Sequence, residues 1–177
     1  MKALAKRLKE GQRGFTLVEI ITVVAILSIL AAIGTTTLLN YLPNMRLKSA
    51  TRDIYSVMMR AKTEAIRRGE NVTVLFNSPG DSYIMFLDSD NDGLYDNLPL
   101  PGETVLLTTT TFPDRVSFDP AIGGGDGVTF TNETTVFSMR GVPFEAGTIG
   151  LHTTDDLGNT IRQRTVDVSI AGRINIQ

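Results

Sequence analysis

The segment Phe15–Ile33 constrains this chain more than any other: nineteen residues, nearly all apolar, carrying a single charge at Glu19. An α-helix rises about 1.5 Å per residue, so this run comes close to the roughly 20 residues that cross a hydrocarbon layer about 30 Å thick. Charge is segregated around it. The first fourteen residues hold five bases, Lys2, Lys6, Arg7, Lys9 and Arg13, against Glu10, a net of +4. Residues 44–70 hold seven bases against three acids, again +4, whereas from Asn71 onward five arginines oppose fourteen acids, a net of −9. Bases before the span and an acidic bulk after it place Met1 in the cytoplasm and the remainder outside, by the positive-inside rule.

Three readings of the run compete. A secretory signal also has a basic start, but its apolar region is about 7 to 15 residues and ends at small residues of A-x-A type; here Leu30-Ala31-Ala32 stands at that place. A signal anchor explains length and orientation, yet leaves Glu19 unpaired in lipid, at about 2.5 to 3.5 kcal/mol for mid-depth. In the third, a cut between Gly14 and Phe15 creates an α-ammonium four residues from the Glu19 carboxylate, roughly 6 Å along a helix. That ammonium can belong to the same helix or to a neighbouring subunit. In a low-dielectric bundle the attraction then sets the axial stagger between subunits.

A short basic leader ending in Gly14, then Phe15-Thr16-Leu17-Val18-Glu19 and an apolar helix, resembles the class III signal of type IV pilins and type II secretion pseudopilins. The resemblance implies that a prepilin peptidase cuts after Gly14 and methylates the new terminal Phe15, and that Glu19 acts in assembly. It implies a substrate of processing and a structural subunit, not an enzyme. Its partners would be the peptidase, inner-membrane lipid and other pilins met through the N-terminal helix. Its place would be the bacterial inner membrane in a single pass, with the head in the periplasm and the subunit in a filament after assembly.

Beyond Ile33, Gly34-Thr35-Thr36-Thr37 predicts a looser helix, because glycine costs about 1 kcal/mol and β-branched residues several tenths relative to alanine. Pro43 predicts a kink or the exit from the membrane. From Asn44 the residues Leu47, Ala50, Ile54, Val57, Met58, Ala61 and Ala65 recur at three- and four-residue spacings, an amphipathic helix that ends at Gly69 and packs its apolar stripe on the head. Its bases read as a solvated face. The rest reads as β: "NVTVLFN", "SYIMFLD", "TVLLTTTT", "RVSF", "GVTF", "TVFSM", "IRQRTVDVSI" and "RINIQ", punctuated by turn residues. The chain thus divides into a leader (1–14), an assembly helix (15–42), a stem (43–70) and a head (71–177). The fold class is α+β, pilin-like, with a long N-terminal helix packed on antiparallel sheets. The segments "MRAKTEAIRRGENVTVLF", "VFSMRGVPFEAGTIGL" and "VDVSIAGRINI" are similar to the general secretion pathway protein H and FimT family. They leave open a secretion pseudopilin or a minor pilin of a type IV pilus.

"DSDNDGLYD" sets Asp88, Asp90, Asp92 and Asp96 around Gly93, an oxygen-rich spacing suited to calcium, the one candidate cofactor. A full EF-hand loop wants glutamate where Pro99 stands, so that fold is discarded; an exposed acidic turn is the alternative. Glu103 is a late candidate ligand. His152 is the single histidine and has no serine or paired carboxylate motif beside it, so it reads as filler. "AIGGGDG" lacks the lysine of a phosphate loop and reads as a flexible connection. Some FimT-like minor pilins are thought to bind DNA through C-terminal arginines, which singles out Arg162, Arg164 and Arg173 as nucleic-acid candidates. The −9 head argues against DNA, because nonspecific affinity comes mainly from neutralised phosphates. No cysteine is present, which removes disulfide, thiolate-metal and cysteine-nucleophile chemistry.

Overall fold

A computed structural model describes residues 14–89, 104–155 and 158–177, with side-chain surroundings for all of these except residues 33–40. Helix α1, Leu17–Arg68, runs through 52 residues. The chain divides into two compact units, one reaching Asn40 and one covering Tyr41–Gln177.

In the first unit α1 starts at Leu17 and is helical through Gly34-Thr35-Thr36-Thr37, where the propensities predict loosening. A helix once nucleated gains one hydrogen bond per added residue, which outweighs one glycine and three threonines. Among the described residues no helix is long and apolar enough to cross a membrane; the side chains described in the apolar run extend to Ala32.

In the second unit the helix continues through Pro43. The loss of one N–H donor is tolerated there without ending the element. The predicted stripe is the buried one: Leu47, Ile54, Met58, Ala61 and Ala65 are fully inaccessible, and Ala50 and Val57 nearly so. The helix stops where the spacing predicts. Gly69 takes φ +70° and its N–H donates to Ala65 O at 3.0 Å, a left-handed cap that glycine adopts without a Cβ penalty.

Two four-stranded antiparallel sheets complete this unit. The first contains β1 (Val72–Asn77), β2 (Ser82–Leu87), β3 (Thr104–Thr111) and β5 (Thr134–Phe137), in the order β3-β2-β1-β5. The second contains β4 (Val116–Phe118), β6 (Gly147–Thr154), β7 (Thr160–Val168) and β8 (Ile174–Ile176), in the order β4-β6-β7-β8. One core joins the helix to both: Leu47, Ile54 and Met58 meet Val74, Phe76 and Phe137 of the first sheet and Ile149, Leu151 and Val166 of the second. Phe76 links the sheets, lying edge-on to Phe118 at 6.1 Å and stacked on Phe130 at 6.4 Å.

Four local expectations change. β6, an interior strand of the second sheet, falls in a stretch that carries no strand signal because Gly147 and Gly150 interrupt it. Gly150 is closely covered: a Cβ there would sit 2.3 Å from the tip of the Ile122 side chain and 3.2 Å from Asp119 Cβ, so Ile122 would have to move. "GVTF" forms an isolated bridge, Val128 with Ile149, in place of a strand. "AIGGGDG" is a loop, but it is stitched to β6, with Asp119 N–H donating to Gly150 O at 2.9 Å and Gly150 N–H to Gly127 O at 2.8 Å. The stem bases are more than a solvated face. Arg46 donates to Asp114 O, Arg60 to Leu106 O at 3.1 Å and Lys62 to Gly172 O at 2.8 Å, so they tie the helix to carbonyls of the β layer.

Candidate functional site

The start of α1 is built by Thr16. Gly14, Phe15 and Thr16 precede the helix, and Thr16 Oγ1 accepts the Glu19 N–H at 3.2 Å while Thr16 O accepts the Ile20 N–H at 3.2 Å. Thr16 is therefore the N-cap and Glu19 stands at the third helical position, the spacing of a capping box. The Thr-x-x-Glu signal is present in the sequence; reading Glu19 for its charge alone misses it. A carboxylate in the first turn also faces the positive end of the helix dipole, worth about 0.3 to 1 kcal/mol at an exposed site. Gly14 lies two residues outside the cap, with nothing within 4 Å of where a Cβ would be. The peptide bond from Gly14 to Phe15 is thus clear of helical hydrogen bonding, as a protease substrate must be. Phe15 is 78 % exposed and Leu17, Val18, Ile20, Ile21, Val23 and Val24 are exposed behind it, an apolar surface that calls for lipid or protein around it.

Asp88 is buried, and its Oδ2 accepts the Thr73 hydroxyl at 2.9 Å. It borders a cleft of about 220 Å³ with Glu70, Asn71, Ser89 and Met139. Asp90, Asp92, Asp96 and Glu103 fall in residues 90–103, outside the described residues; Asp88 and Ser89 stand just before that segment and Thr104 just after it. Among the described residues no three metal-binding side chains converge.

Arg162 and Arg164 alternate on β7, which puts them on one face, and with Ile161, Gln163 and Gln177 they line an open cleft of about 390 Å³. Arg173 is not brought to them. Val168 pairs with Ile174, so Arg173 sits at the far end of β7, six residues or about 20 Å from Arg162. His152 is buried on β6 in register with Ser117 and Gln163. At the end of the stem Glu64 accepts from Arg67 at 2.6 Å and from Arg68 at 2.9 Å, and these two hydrogen bonds hold its carboxyl below the usual carboxylate range.

Residues 50–172 match the family described as type II transport protein GspH, and residues 10–35 match the prokaryotic N-terminal methylation motif. The chain belongs to the GspH family. It is 31 % identical over 175 residues to the pilin-like protein PilA1 of Thermus thermophilus, covering 94 % of this chain and 99 % of that one. Two solved structures share its fold. The minor pseudopilin EpsH of the Vibrio cholerae type 2 secretion system has a TM-score of 0.52 at 12 % identity, covering 75 % of this chain and 96 % of EpsH. The type IV minor pilin FimU of Pseudomonas aeruginosa has a TM-score of 0.53 at 14 % identity, covering 77 % and 92 %. The GspH-family assignment and the α+β, pilin-like architecture thus agree with the reading of the sequence. The methylation motif contains Gly14, Phe15 and Glu19, the residues at the capped start of α1.

Proposed function

We propose that this GspH-family chain is made as a precursor, cut after Gly14 and methylated on Phe15 by a prepilin peptidase, and assembled as a minor subunit of a periplasmic pseudopilus or pilus. Residues 15–42 would hold it in the inner membrane until assembly, with the head in the periplasm. The observation that carries this reading is the start of α1: an accessible Gly14, a Thr16 cap and Glu19 in the first turn, followed by exposed apolar surface. After the cut, Glu19 is within reach of an N-terminal ammonium on its own helix or a neighbour's.

Intact mass of the membrane-extracted protein tests it. In cells with the peptidase the mass should equal a chain starting at methylated Phe15; without it, the chain should start at Met1. An unprocessed chain in both would dismiss the reading.

DNA capture is the second reading, favoured by the shared cleft of Arg162 and Arg164. It predicts salt-dependent binding of duplex DNA by the full chain that Arg162→Ala with Arg164→Ala abolishes; binding indifferent to both would dismiss it. For calcium, the proposed ligands are Asp88, Asp90, Asp92 and Asp96. Because Asp88 also supports Thr73, the test leaves it in place: replacing Asp90, Asp92 and Asp96 with asparagine should lower the melting temperature in calcium and leave it unchanged in chelator. Equal loss in both would make the segment an ordinary turn.

A further inference from the structure

Two turns, thirty-one residues apart in sequence, have the same construction. In Ser138-Met139-Arg140-Gly141-Val142, Ser138 N–H donates to Val142 O at 2.9 Å, Gly141 N–H to Ser138 O at 2.7 Å, and Val142 N–H to Ser138 Oγ at 3.3 Å. In Ser169-Ile170-Ala171-Gly172-Arg173 the same three bonds recur at 2.9, 2.8 and 3.1 Å. Gly141 and Gly172 take φ +73° and +75°, and the turns touch there: a Cβ on Gly172 would lie 2.9 Å from Gly141 O. Both sit on the end of α1, since a Cβ on Gly141 would lie 2.6 Å from the Ile66 side chain, and Lys62 donates to Gly172 O.

The paired turns hold large apolar side chains in solvent. Met139 is 57 % exposed, Ile170 61 %, Phe144, just past the first turn, 57 %, and Ile66 54 %. A group of this kind on a folded surface marks an interaction site. Its surroundings are mainly basic. Arg140 and Arg173 are exposed and form no salt bridge among the described residues, Lys62 donates to Gly172 O, and on the last turn of α1 Arg67 and Arg68 share the single Glu64, with Glu70 following. Two copies meeting face to face on this patch would oppose like charges, which disfavours a self-complementary dimer.

We infer that the twin turns and the end of α1 form a docking surface for a different subunit of the same filament, one presenting an apolar centre with an acidic rim. Met139, Phe144 and Ile170 would supply the buried contact and Arg140 and Arg173 the choice of partner. This rests on the filament reading, which the mass measurement tests independently.

Photo-crosslinking in the host cells tests the surface, with p-benzoylphenylalanine placed in the full chain at Met139 or Ile170 and, as control, at Ile161, an exposed site at the opposite end of β7. Adducts from positions 139 and 170, absent from 161, should contain another chain that carries its own class III signal. Charge reversal, Arg140→Glu with Arg173→Glu, should reduce them by about tenfold or more. Adducts with a second copy, equal adducts from position 161, adducts only with proteins lacking such a signal, or none from 139 and 170 would each overturn the inference. If the chain were unprocessed yet gave the expected heterologous adduct, the surface would stand and the filament reading would fall.

Discussion

Glu19→Ala should leave the protein inserted in the membrane and abolish its recovery in the filament fraction, by more than about tenfold. Removing a carboxylate from an apolar helix makes insertion easier, by up to about 2.5 to 3.5 kcal/mol at mid-depth and less near the helix start. The helix start loses only the charge–dipole contribution of about 0.3 to 1 kcal/mol, because Thr16 caps the Glu19 backbone N–H, which alanine also provides. What is lost is the charge. An ion pair in a low-dielectric bundle that supplies 1.4 kcal/mol or more accounts for a tenfold change. Glu19→Gln, which keeps the shape and loses the charge, should behave the same way. Thr16→Ala should weaken the helix start by about 1 kcal/mol while retaining the charge pair, and so should impair assembly far less. The measurement is quantitative immunodetection of membrane and sheared-filament fractions. Normal incorporation of Glu19→Ala would remove the register argument.

Phe76→Ala should lower the unfolding free energy of the Tyr41–Gln177 unit by about 3 to 5 kcal/mol, the range for truncating a buried phenylalanine. Phe76 is 1 % exposed and contacts Phe118 of the other sheet and Phe130 of the segment before β5, so the loss combines transfer free energy, a cavity and two ring contacts. Since typical domains are stable by about 5 to 15 kcal/mol, a large part of the total would go. Urea unfolding of the full chain in detergent, followed by tyrosine fluorescence because no tryptophan is present, measures it. Phe144→Ala, at an exposed ring, should change stability by no more than about 0.5 kcal/mol and serves as the control. A similar effect from both would show that the two sheets do not share the Phe76 core.

Several features were legible because they depend on neighbours along the chain. The stripe from Leu47 to Ala65 follows the 3.6-residue period, and every member is buried. The cap at Gly69 needs only a residue able to take positive φ. "NVTVLFN" and "SYIMFLD" pair as β1 and β2 because a short turn joins two β-branched and aromatic runs. The capping box was also available as Thr16-x-x-Glu19, though a reading of charge alone passes over it.

Other features depend on chain segments far apart. β6 carries Gly147 and Gly150 where a strand signal would want side chains; the close cover of Gly150 by Ile122 exists only once the loop is in place. Which stem bases bond to carbonyls depends on where Asp114, Leu106 and Gly172 arrive, 46 to 110 residues away. The separation of Arg173 from Arg162 follows from the β7–β8 register, and the burial of Asp88 from its bond to Thr73. The sequence by itself determined the N-terminal methylation motif, the helix with its buried stripe and the α+β class, since periodicity, capping and charge act over a few residues. Tertiary structure alone decided the contact between Gly141 and Gly172 and the apolar surface raised on it, because such contacts are selected by packing between elements that local preference does not bring together.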